Sequence, residues 1–407
     1  MIECLKDKNI LIGVNYWPRY SAMYMWKSFN INFIIQDLSL IKNLKMNCLR
    51  IFLIWEDFQD SPNKINPESF LMLEKLLLEC KKMNLKVILS IFQGHMSGIN
   101  FLPEFTLNKS VINKQLFPIF CNGKVGYWEV KDIYSDPLII KAQKLLIKEL
   151  VGNFKNLVYS WDIANEIDNV LIPSSTNKFN NWVSFISSEI KEIDKNALVT
   201  LGTHSQNLEK NVNVNLKDLS RYLDYISMHG YPIYSSLATH HLDDNYVPFL
   251  YFASKIFTKK EVYFTEFGLP SMKKSKFIKT PTSKVYIPNE DQVYKYLNKV
   301  LEKLYILGCR CFLYWCFADY DKSLYCLPPF NLFKHERYFG LVDKNGNYKK
   351  FAKIFLDFTN QFDNLNIKMK QLKNKLQNFY LNFKLRSKNL DKFIKSLQKR
   401  FYYFMSK

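Results

Sequence analysis

Two glutamates stand where apolar segments of the chain end. Glu166 closes the segment WDIANE, and Glu266 follows the apolar residues of VYFTEFG. A carboxylate is costly to bury without a partner, so an acid at the end of a buried strand calls for a reason. Alone, each could form a salt bridge at the rim of the fold. Together they are the groups that cleave an acetal: one protonates the departing oxygen, and the other attacks the anomeric carbon or activates water.

Other polar and aromatic residues occupy the same kind of position, at the ends of predicted strands. They are Trp55, Glu56 and Asp57 at the end of the second strand, within which Arg50 also lies, Gln93 and His95 after the third, Asn165 on the fourth, His229 and Tyr231 after the sixth, and Trp315 on the eighth. In a barrel of parallel strands, the carboxyl ends of all strands meet at one rim, where active sites form. The pattern therefore predicts an active site built from several strands.

The elements that must position these residues alternate regularly between residues 10 and 315. The strands are too apolar for a half-exposed sheet, and they alternate with helical patterns such as Phe70–Met83, Pro137–Phe154 and Gln292–Leu307. This alternation predicts an α/β fold, a closed (β/α)8 barrel. The eight predicted strands are Ile10–Asn15, Cys48–Trp55, Lys86–Phe92, Leu157–Ala164, Leu198–Thr203, Tyr225–His229, Val262–Thr265 and Cys311–Trp315.

Two connections are unusually long. Gln93–Ser135, after the third strand, is rich in glycine and is expected to hold no regular element. Cys316–Phe339 follows the eighth strand. Long loops at the active rim of a barrel normally shape a substrate cleft, so both are expected to do so.

Several segments together resemble a known group of enzymes. Besides the two acids, they are GVNYWP, RIFLIWEDFQ, FQGHMSG, MHGYP, FLYWCFADY and HERYFGLVDKNGNYKK, in this order along the chain. The set resembles the clan of retaining β-glycosidases with (β/α)8 barrels, and most of all family 5 and its cellulase- and mannanase-like members. The resemblance covers residues 10–355 and implies hydrolysis of a β-glycosidic bond through a glycosyl-enzyme intermediate.

The resemblance also implies roles for individual residues. Glu166 would be the general acid/base and Glu266 the nucleophile. Asn165 would bind the sugar 2-hydroxyl, and Arg50 would keep the nucleophile ionised, although a salt bridge within the barrel wall is an alternative for Arg50. The remaining site residues would orient the substrate and nucleophile or form the floor of the sugar site; they are His95, His229, Tyr231 and Trp315.

Some residues have two interpretations that the sequence leaves open. Either histidine could be purely structural. Trp17 and Trp55 could contact sugar or belong to the core. The acids Glu56, Asp57 and Asp319 could bind sugar hydroxyls or form rim salt bridges. No metal or organic cofactor is expected, since the implied mechanism needs only the two carboxylates.

The end of the chain differs from the rest. Residues 361–407 hold twelve Lys/Arg and two Asp, a net charge of +10 out of +20, with no Gly or Pro. Apolar residues from Leu365 to Phe404 recur at heptad-like steps that Arg386 interrupts. We therefore divide the chain into a barrel (1–360) and a basic amphipathic helical tail (361–407). The tail could pack on the barrel or on another subunit, lie on an anionic membrane, or be disordered; nucleic acid is an unlikely partner because no binding motif accompanies the charge.

The cysteines and the apolar segments of the sequence indicate the cellular compartment of the protein. The eight cysteines are scattered without metal-binding spacing, and residues such as Cys48, Cys309 and Cys311 fall within predicted strands. The chain shows no signal peptide or membrane-spanning run. We expect buried free thiols and a cytoplasmic protein, peripheral at a membrane if the tail binds one. Its substrate would then be an oligosaccharide or glycoconjugate.

Two other functions fit the same sequence. One is a catalytically silent barrel that binds sugar, and the other is a membrane-associated scaffold whose tail matters more than its barrel. The sugar, the linkage, and endo or exo action are not encoded by the strand motifs.

Overall fold

The computed structural model describes residues 10–113, 117–381 and 390–406. Eight parallel strands close into a barrel, which confirms the predicted fold class. The first and last strands pair to complete it, with Leu11 opposite Cys311. The strands are β1 (Leu11–Asn15), β2 (Cys48–Ile54), β3 (Lys86–Gln93), β4 (Ser160–Asn165), β5 (Val199–His204), β6 (Ile226–Gly230), β7 (Val262–Phe267) and β8 (Cys311–Tyr314).

Helices cover the outside of the barrel, and polar caps fix where they begin. Asn66 caps the second long helix, which starts at Pro67 rather than at Phe70. Asn289 and Gln292 form a capping box at the sixth. The long helices are α1 (Ile31–Asn43), α2 (Pro67–Lys82), α3 (Pro137–Phe154), α4 (Thr176–Ile193), α5 (Tyr246–Thr258) and α6 (Glu290–Leu307). Single-turn helices span Trp55–Phe58, Gln206–Glu209 and Leu216–Leu219, and 3-10 turns span Ala22–Tyr24, Glu104–Thr106, Ile167–Asn169, Lys322–Cys326, Lys334–Tyr338 and Lys350–Lys353.

The described part of the connection after β3 contains six strands, so the expectation of no regular element there is wrong. Five of the six have only two or three residues, which hides them from a search for apolar periodicity. One signal was available, because Asn122-Gly123 adopts positive φ at both positions and joins two paired strands as a hairpin turn. The strands are His95–Met96, Ile99–Phe101, Leu107–Ile112, Ile119–Cys121, Lys124–Gly126 and Trp128–Val130. A further hairpin, Lys276–Lys279 with Lys284–Ile287, follows β7.

The segment after β8 lies across the mouth of the barrel. The Tyr24 hydroxyl, in the loop after β1, donates to the Pro328 carbonyl at 2.6 Å. The Ser97 hydroxyl, after β3, donates to Glu336 at 3.0 Å. One long connection is thus tied to two other loops, which gives the cleft a fixed wall on this side.

Three helices follow the barrel: α7 (Ile354–Asn360), α8 (Phe362–Leu381) and α9 (Leu390–Met405). Phe362 stacks on Tyr305 of α6, with ring centroids 5.0 Å apart. On α9, the buried apolar residues are Phe393, Ile394, Leu397 and Phe401. The Phe401 ring lies 4.9 Å from that of Phe252 on α5. The described part of the apolar stripe therefore packs on the barrel, while Arg386 and residues 1–9 lie outside the described residues.

The exposed side of α9 carries positive charge, from Lys392, Lys395, Lys399 and Arg400. Within the ranges given above, none of the helices has the length and apolar character that crossing a membrane requires. Of the seven cysteines described, six are buried and Cys326 is exposed, and none of the seven forms a disulfide. The expectation of buried thiols is confirmed for Cys48, Cys309 and Cys311.

Replacing Phe401 tests whether α9 is part of the folded core. Phe401→Ala removes a fully buried ring between α9 and α5, so we expect the free energy of unfolding to fall by about 3 kcal/mol. Urea unfolding followed by circular dichroism measures this. The matched control is Tyr403→Ala, since the Tyr403 side chain on the same helix is 63% exposed. Equal stability of the two variants would show that α9 contributes little to the fold.

Candidate active site

Glu266 lies within β7, one residue before its end, and its side chain is buried at the barrel mouth. Its Oε1 accepts a hydrogen bond from Arg50 Nη1 at 2.5 Å, and its Oε2 accepts one from the Tyr231 hydroxyl at 2.8 Å. Both donors thus contact the same carboxylate, which fixes the orientation of its plane.

Arg50 reaches Glu266 from the interior of the barrel, where its side chain is fully buried. The Asp162 carboxylate receives both Nε, at 2.9 Å, and Nη2, at 2.5 Å. The amide oxygens of Asn15 and Asn165 accept from Nη1 and Nη2 at 3.3 and 2.8 Å. Burial alone would lower the pKa of Arg50, but Asp162 and Glu266 raise it, so the guanidinium stays charged.

Glu166 follows β4 directly and has a left-handed backbone, with φ +45° and ψ +45°. Such a conformation is uncommon outside glycine and concentrates at functional positions. Oε1 lies 2.8 Å from His229 Nδ1, and Oε2 accepts from the Asn169 amide at 2.9 Å. The sharp turn after β4 therefore directs this carboxylate into the mouth.

The two carboxylates face each other across the mouth. A carboxylate oxygen of Glu166, one of Glu266 and a ring nitrogen of His229 all lie within 4.8 Å of one another. His229 Nδ1 is 3.7 Å from Glu266 Oε1, so one imidazole contacts both acids. Carboxylates at this separation titrate as a pair rather than independently.

The charges around the pair act in opposite directions. Burial raises the pKa of Glu266, although His229 and Arg50 oppose it. Burial would also raise the pKa of Glu166, but the positive charges of His204 and His229 outweigh it and lower that pKa. This lowering lasts only while the imidazoles are protonated. The position of a proton shared by the pair therefore depends on the neighbouring histidines.

Of the other sequence-predicted residues, His95, Asn165 and Trp315 also line the cavity. Asn165 donates to the backbone carbonyl of His95 at 2.9 Å, which leaves one N–H of its amide for a ligand. The His95 ring bonds Asn100 instead, at 2.8 Å, and burial lowers its pKa. Trp315 follows β8, is 4% exposed and forms the cis peptide bond Trp315–Cys316.

Five residues with open interpretations lie outside the cavity. Trp17 stacks on Phe52, and Trp55 packs in the core against Phe92 and Phe105. The acids form salt bridges, as the alternative interpretation had it: Lys27 pairs with both Glu56 and Asp57, and Lys349 pairs with Asp319 at 2.7 Å. Burial raises the pKa of Asp57 and of Asp319 to about 6 despite these lysines.

Other site residues were missed by sequence reasoning. Asp162 stands in WDIANE, four residues before Glu166, and could have been paired with Arg50. His204 ends β5 and obeys the strand-end rule; its Nε2 bonds Asp168 at 2.9 Å. Glu336 lies in the HERYFG segment but was given no role. His204 and Glu336 line the cavity, which has a volume of about 570 Å³.

A closed parallel barrel with two facing acids at the carboxyl ends of β4 and β7 is the arrangement expected of a barrel glycoside hydrolase. The model of the cellulase family, glycosyl hydrolase family 5, matches residues 16–306, so the chain belongs to glycosyl hydrolase family 5. Among curated proteins, none matches the sequence.

Solved structures share the fold at low identity. An exo-β-1,4-mannosidase from Opitutaceae bacterium strain TAV5 has a TM-score of 0.70 and 24% identity, over 88% of this chain; the chain spans 60% of that protein's length. A GH5_18 protein from Streptomyces cattleya, with bound GlcNAc, has a TM-score of 0.73 and 15% identity, over 88% of this chain and 81% of that one. A GH5_18 protein from Bifidobacterium longum, with bound Manβ1-4GlcNAc, has a TM-score of 0.70 and 19% identity, over 87% of this chain and 78% of that one.

Gly202 of β5 makes room for Arg50, and replacing it tests this packing. A Cβ at this position would lie 2.7 Å from Arg50 Nη2 and 3.0 Å from the Ala164 carbonyl oxygen. We expect Gly202→Ala to lower the free energy of unfolding by about 2 kcal/mol and to reduce glycosidase turnover at least tenfold. The control is Gly152→Ala on α3, where an added Cβ meets nothing within 4 Å. Full turnover in Gly202→Ala would show that Arg50 tolerates displacement.

His204 predicts a pH dependence of stability. Burial alone would lower its pKa, but Asp168 and Glu166 raise the pKa of His204 from 6.5 to about 9. A raised pKa stabilises the fold below the unfolded value, and this contribution is lost as the pH rises through about 9. We expect urea unfolding to show a loss of about 3 kcal/mol between about pH 6 and pH 10. Asp168→Asn should largely abolish this loss; an unchanged profile would rule out the pair as its source.

Proposed function

We propose that the protein hydrolyses β-glycosidic bonds with net retention of anomeric configuration, with Glu266 as nucleophile and Glu166 as general acid/base. One observation carries the proposal: the two carboxylates lie within 4.8 Å at their closest, with Arg50 and Tyr231 both on Glu266. Retaining enzymes hold their carboxyl groups about 5 Å apart, whereas inverting enzymes leave about 6.5–9.5 Å for a water molecule. The separation favours direct attack by a carboxylate.

The contacts suit two different roles for the acids. Arg50 and Tyr231 both donate to Glu266, so they stabilise the ionised form that attacks the anomeric carbon. Glu166 lacks a Lys or Arg partner among the described residues and contacts His229 and Asn169 instead. In the free protein the histidines lower the pKa of Glu166 while burial raises the pKa of Glu266. We propose that repulsion by an ionised Glu266 moves the proton of the pair to Glu166 when the sugar binds, and that it passes from there to the leaving oxygen.

The same repulsion explains how Glu166 can then become a base. When Glu266 forms the glycosyl ester, its negative charge disappears. The pKa of Glu166 then falls, since an adjacent like charge no longer raises it, and the carboxylate can take a proton from water in the second step. In this scheme Asn165 gives its remaining N–H to the sugar 2-hydroxyl, and Trp315 offers an apolar surface to the sugar ring. His95 acts through its backbone carbonyl on Asn165, and His229 orients both acids.

For the substrate, we propose a β-linked oligosaccharide or glycoconjugate, with β-mannosides as the first class to test. Support comes from the neighbours in fold, of which one is a β-mannosidase and another holds Manβ1-4GlcNAc. The cavity of about 570 Å³ is of the size that small ligands occupy in proteins.

The roles of the acids are separated by two variants. Glu266→Gln should abolish turnover of every substrate, because no glycosyl-enzyme can form. Glu166→Ala should still release the aglycone of aryl β-glycosides with good leaving groups, which need little protonation. Added azide should then complete its second step and give a β-glycosyl azide, identified by NMR. The control is Glu189→Gln, because Glu189 is a surface acid paired with Lys144. Its turnover should equal that of the wild type. If Glu266→Ala gives the β-azide instead, the assignments are reversed.

Separate measurements test the two rival functions. A silent sugar-binding barrel would bind a fluorinated aryl glycoside without the mass increase of a covalent adduct. For the tail, Phe393, Ile394, Leu397 and Phe401 of α9 are buried while Tyr403 is exposed. Binding to an anionic membrane would therefore depend mainly on the exposed Lys/Arg and should weaken strongly at high salt. Sedimentation with anionic vesicles tests this hypothesis, and light scattering tests self-association.

A further inference from the structure

A second group of polar side chains enters the same cavity beside the catalytic pair. Glu336 and His335 stand in the 3-10 turn Lys334–Tyr338 after β8, Tyr234 follows β6, and Ser97 follows β3. Glu336 is 7% exposed and His335 is 3% exposed. Three different loops therefore bring titratable and hydroxyl groups to one buried position in the cleft.

The Glu336 carboxylate is held by neutral donors and one imidazole. Its Oε1 accepts from the Tyr234 hydroxyl at 3.1 Å and lies 3.1 Å from His335 Nε2. Its Oε2 accepts from the Ser97 hydroxyl at 3.0 Å. In the described part of the chain, no Lys or Arg forms an ion pair with it. An ionised carboxylate offers about four acceptor positions, so some remain for a ligand.

The ionised state of Glu336 and an unpartnered nitrogen of the neighbouring imidazole both favour a polar ligand here. Burial alone would raise the pKa of Glu336, but the hydrogen bond and charge of His335, with the two hydroxyls, lower it, so the group is anionic at neutral pH. His335 Nε2 lies 2.6 Å from the Tyr234 hydroxyl, while its buried Nδ1 has no partner among the described residues. Since His335 lines the cavity, a bound ligand can supply the contact that this buried atom lacks.

This group is linked to the catalytic pair on the side of the nucleophile. The Tyr234 ring lies 5.7 Å from the Tyr231 ring, and the Tyr231 hydroxyl bonds Glu266. The leaving group departs toward Glu166. We therefore place the groups joined to the Glu266 side next to the sugar that is transferred.

We propose that Glu336 and His335 determine substrate specificity by forming hydrogen bonds with hydroxyl groups of the transferred sugar. The transferred sugar must then be neutral, with free hydroxyls where it faces these two side chains. The inference rests on the proposed glycosidase function for the nature of the ligand. Carboxylate acceptors suit sugar hydroxyls, since charge-assisted hydrogen bonds are the stronger kind. The same negative charge disfavours uronic acids, whose carboxylate would be repelled.

Binding tests this without requiring turnover. The full-length protein is titrated calorimetrically with methyl β-mannoside, methyl β-glucoside and their monodeoxy forms. We expect one monodeoxy form to bind the wild type roughly 10- to 100-fold more weakly than its parent. The Glu336→Gln variant should bind the parent glycoside as weakly as the wild type binds that monodeoxy form. Its discrimination should disappear for the hydroxyl missing from that form and remain for the other hydroxyls.

The matched control is Glu209→Gln, because Glu209 also accepts hydroxyl bonds, from Ser235 and Tyr246, but does not line the cavity. It should keep the wild-type discrimination, and thermal melting checks that each variant is folded. Wild-type discrimination in a folded Glu336→Gln overturns the inference, as does failure of the wild type to bind any of these glycosides. A wild type that binds them but cleaves no aryl β-glycoside would defeat the proposed function and leave the binding role intact.

Discussion

The charge of Arg50 is the constraint on which the centre of this molecule depends. A guanidinium with no exposed surface needs compensating charge and hydrogen-bond acceptors, since removing one partner from a buried ion pair costs about 3–5 kcal/mol. β1, β4 and β7 each contribute acceptors to it, from Asn15, from Asp162 and Asn165, and from Glu266. β5 contributes space, because only glycine fits at position 202. Arg50 of β2 thus determines which residues β1, β4, β5 and β7 can carry around it.

This arrangement connects stability to chemistry. Asp162 satisfies two N–H groups of Arg50 from the side away from Glu266, so the guanidinium is held in place before any substrate arrives. A donor fixed in this way needs no reorganisation when charge on Glu266 changes during a reaction. Glu266 gains its orientation from a contact that the fold already requires. We infer that Glu266, the proposed nucleophile, is well ordered in the free protein.

The sequence was informative where chemistry sits on strands and uninformative where it sits on loops. Parallel strands fix both spacing and direction, so Glu166, Glu266 and Trp315 could be assigned to one rim from the ends of apolar runs, and Arg50 to the strand beneath it. The strand bounds moved by only a few residues: Leu157–Ala164 became Ser160–Asn165, for example, because the preceding residues belong to the turn after α3. The hairpins after β3 were missed since strands of two or three residues carry no periodicity.

The loop contacts show why the rest of the site could not be derived. Ser97 and Glu336 are bonded across 239 residues of sequence, and Tyr234 meets His335 across 101. No local pattern encodes such pairs; they exist because the barrel brings the loops after β3, β6 and β8 to the same mouth. The residues proposed to perform the reaction thus lie on or directly after rigid strands, while those proposed to select among sugars lie on loops. This division explains why the family could be inferred from the strand sequences, whereas the substrate could not.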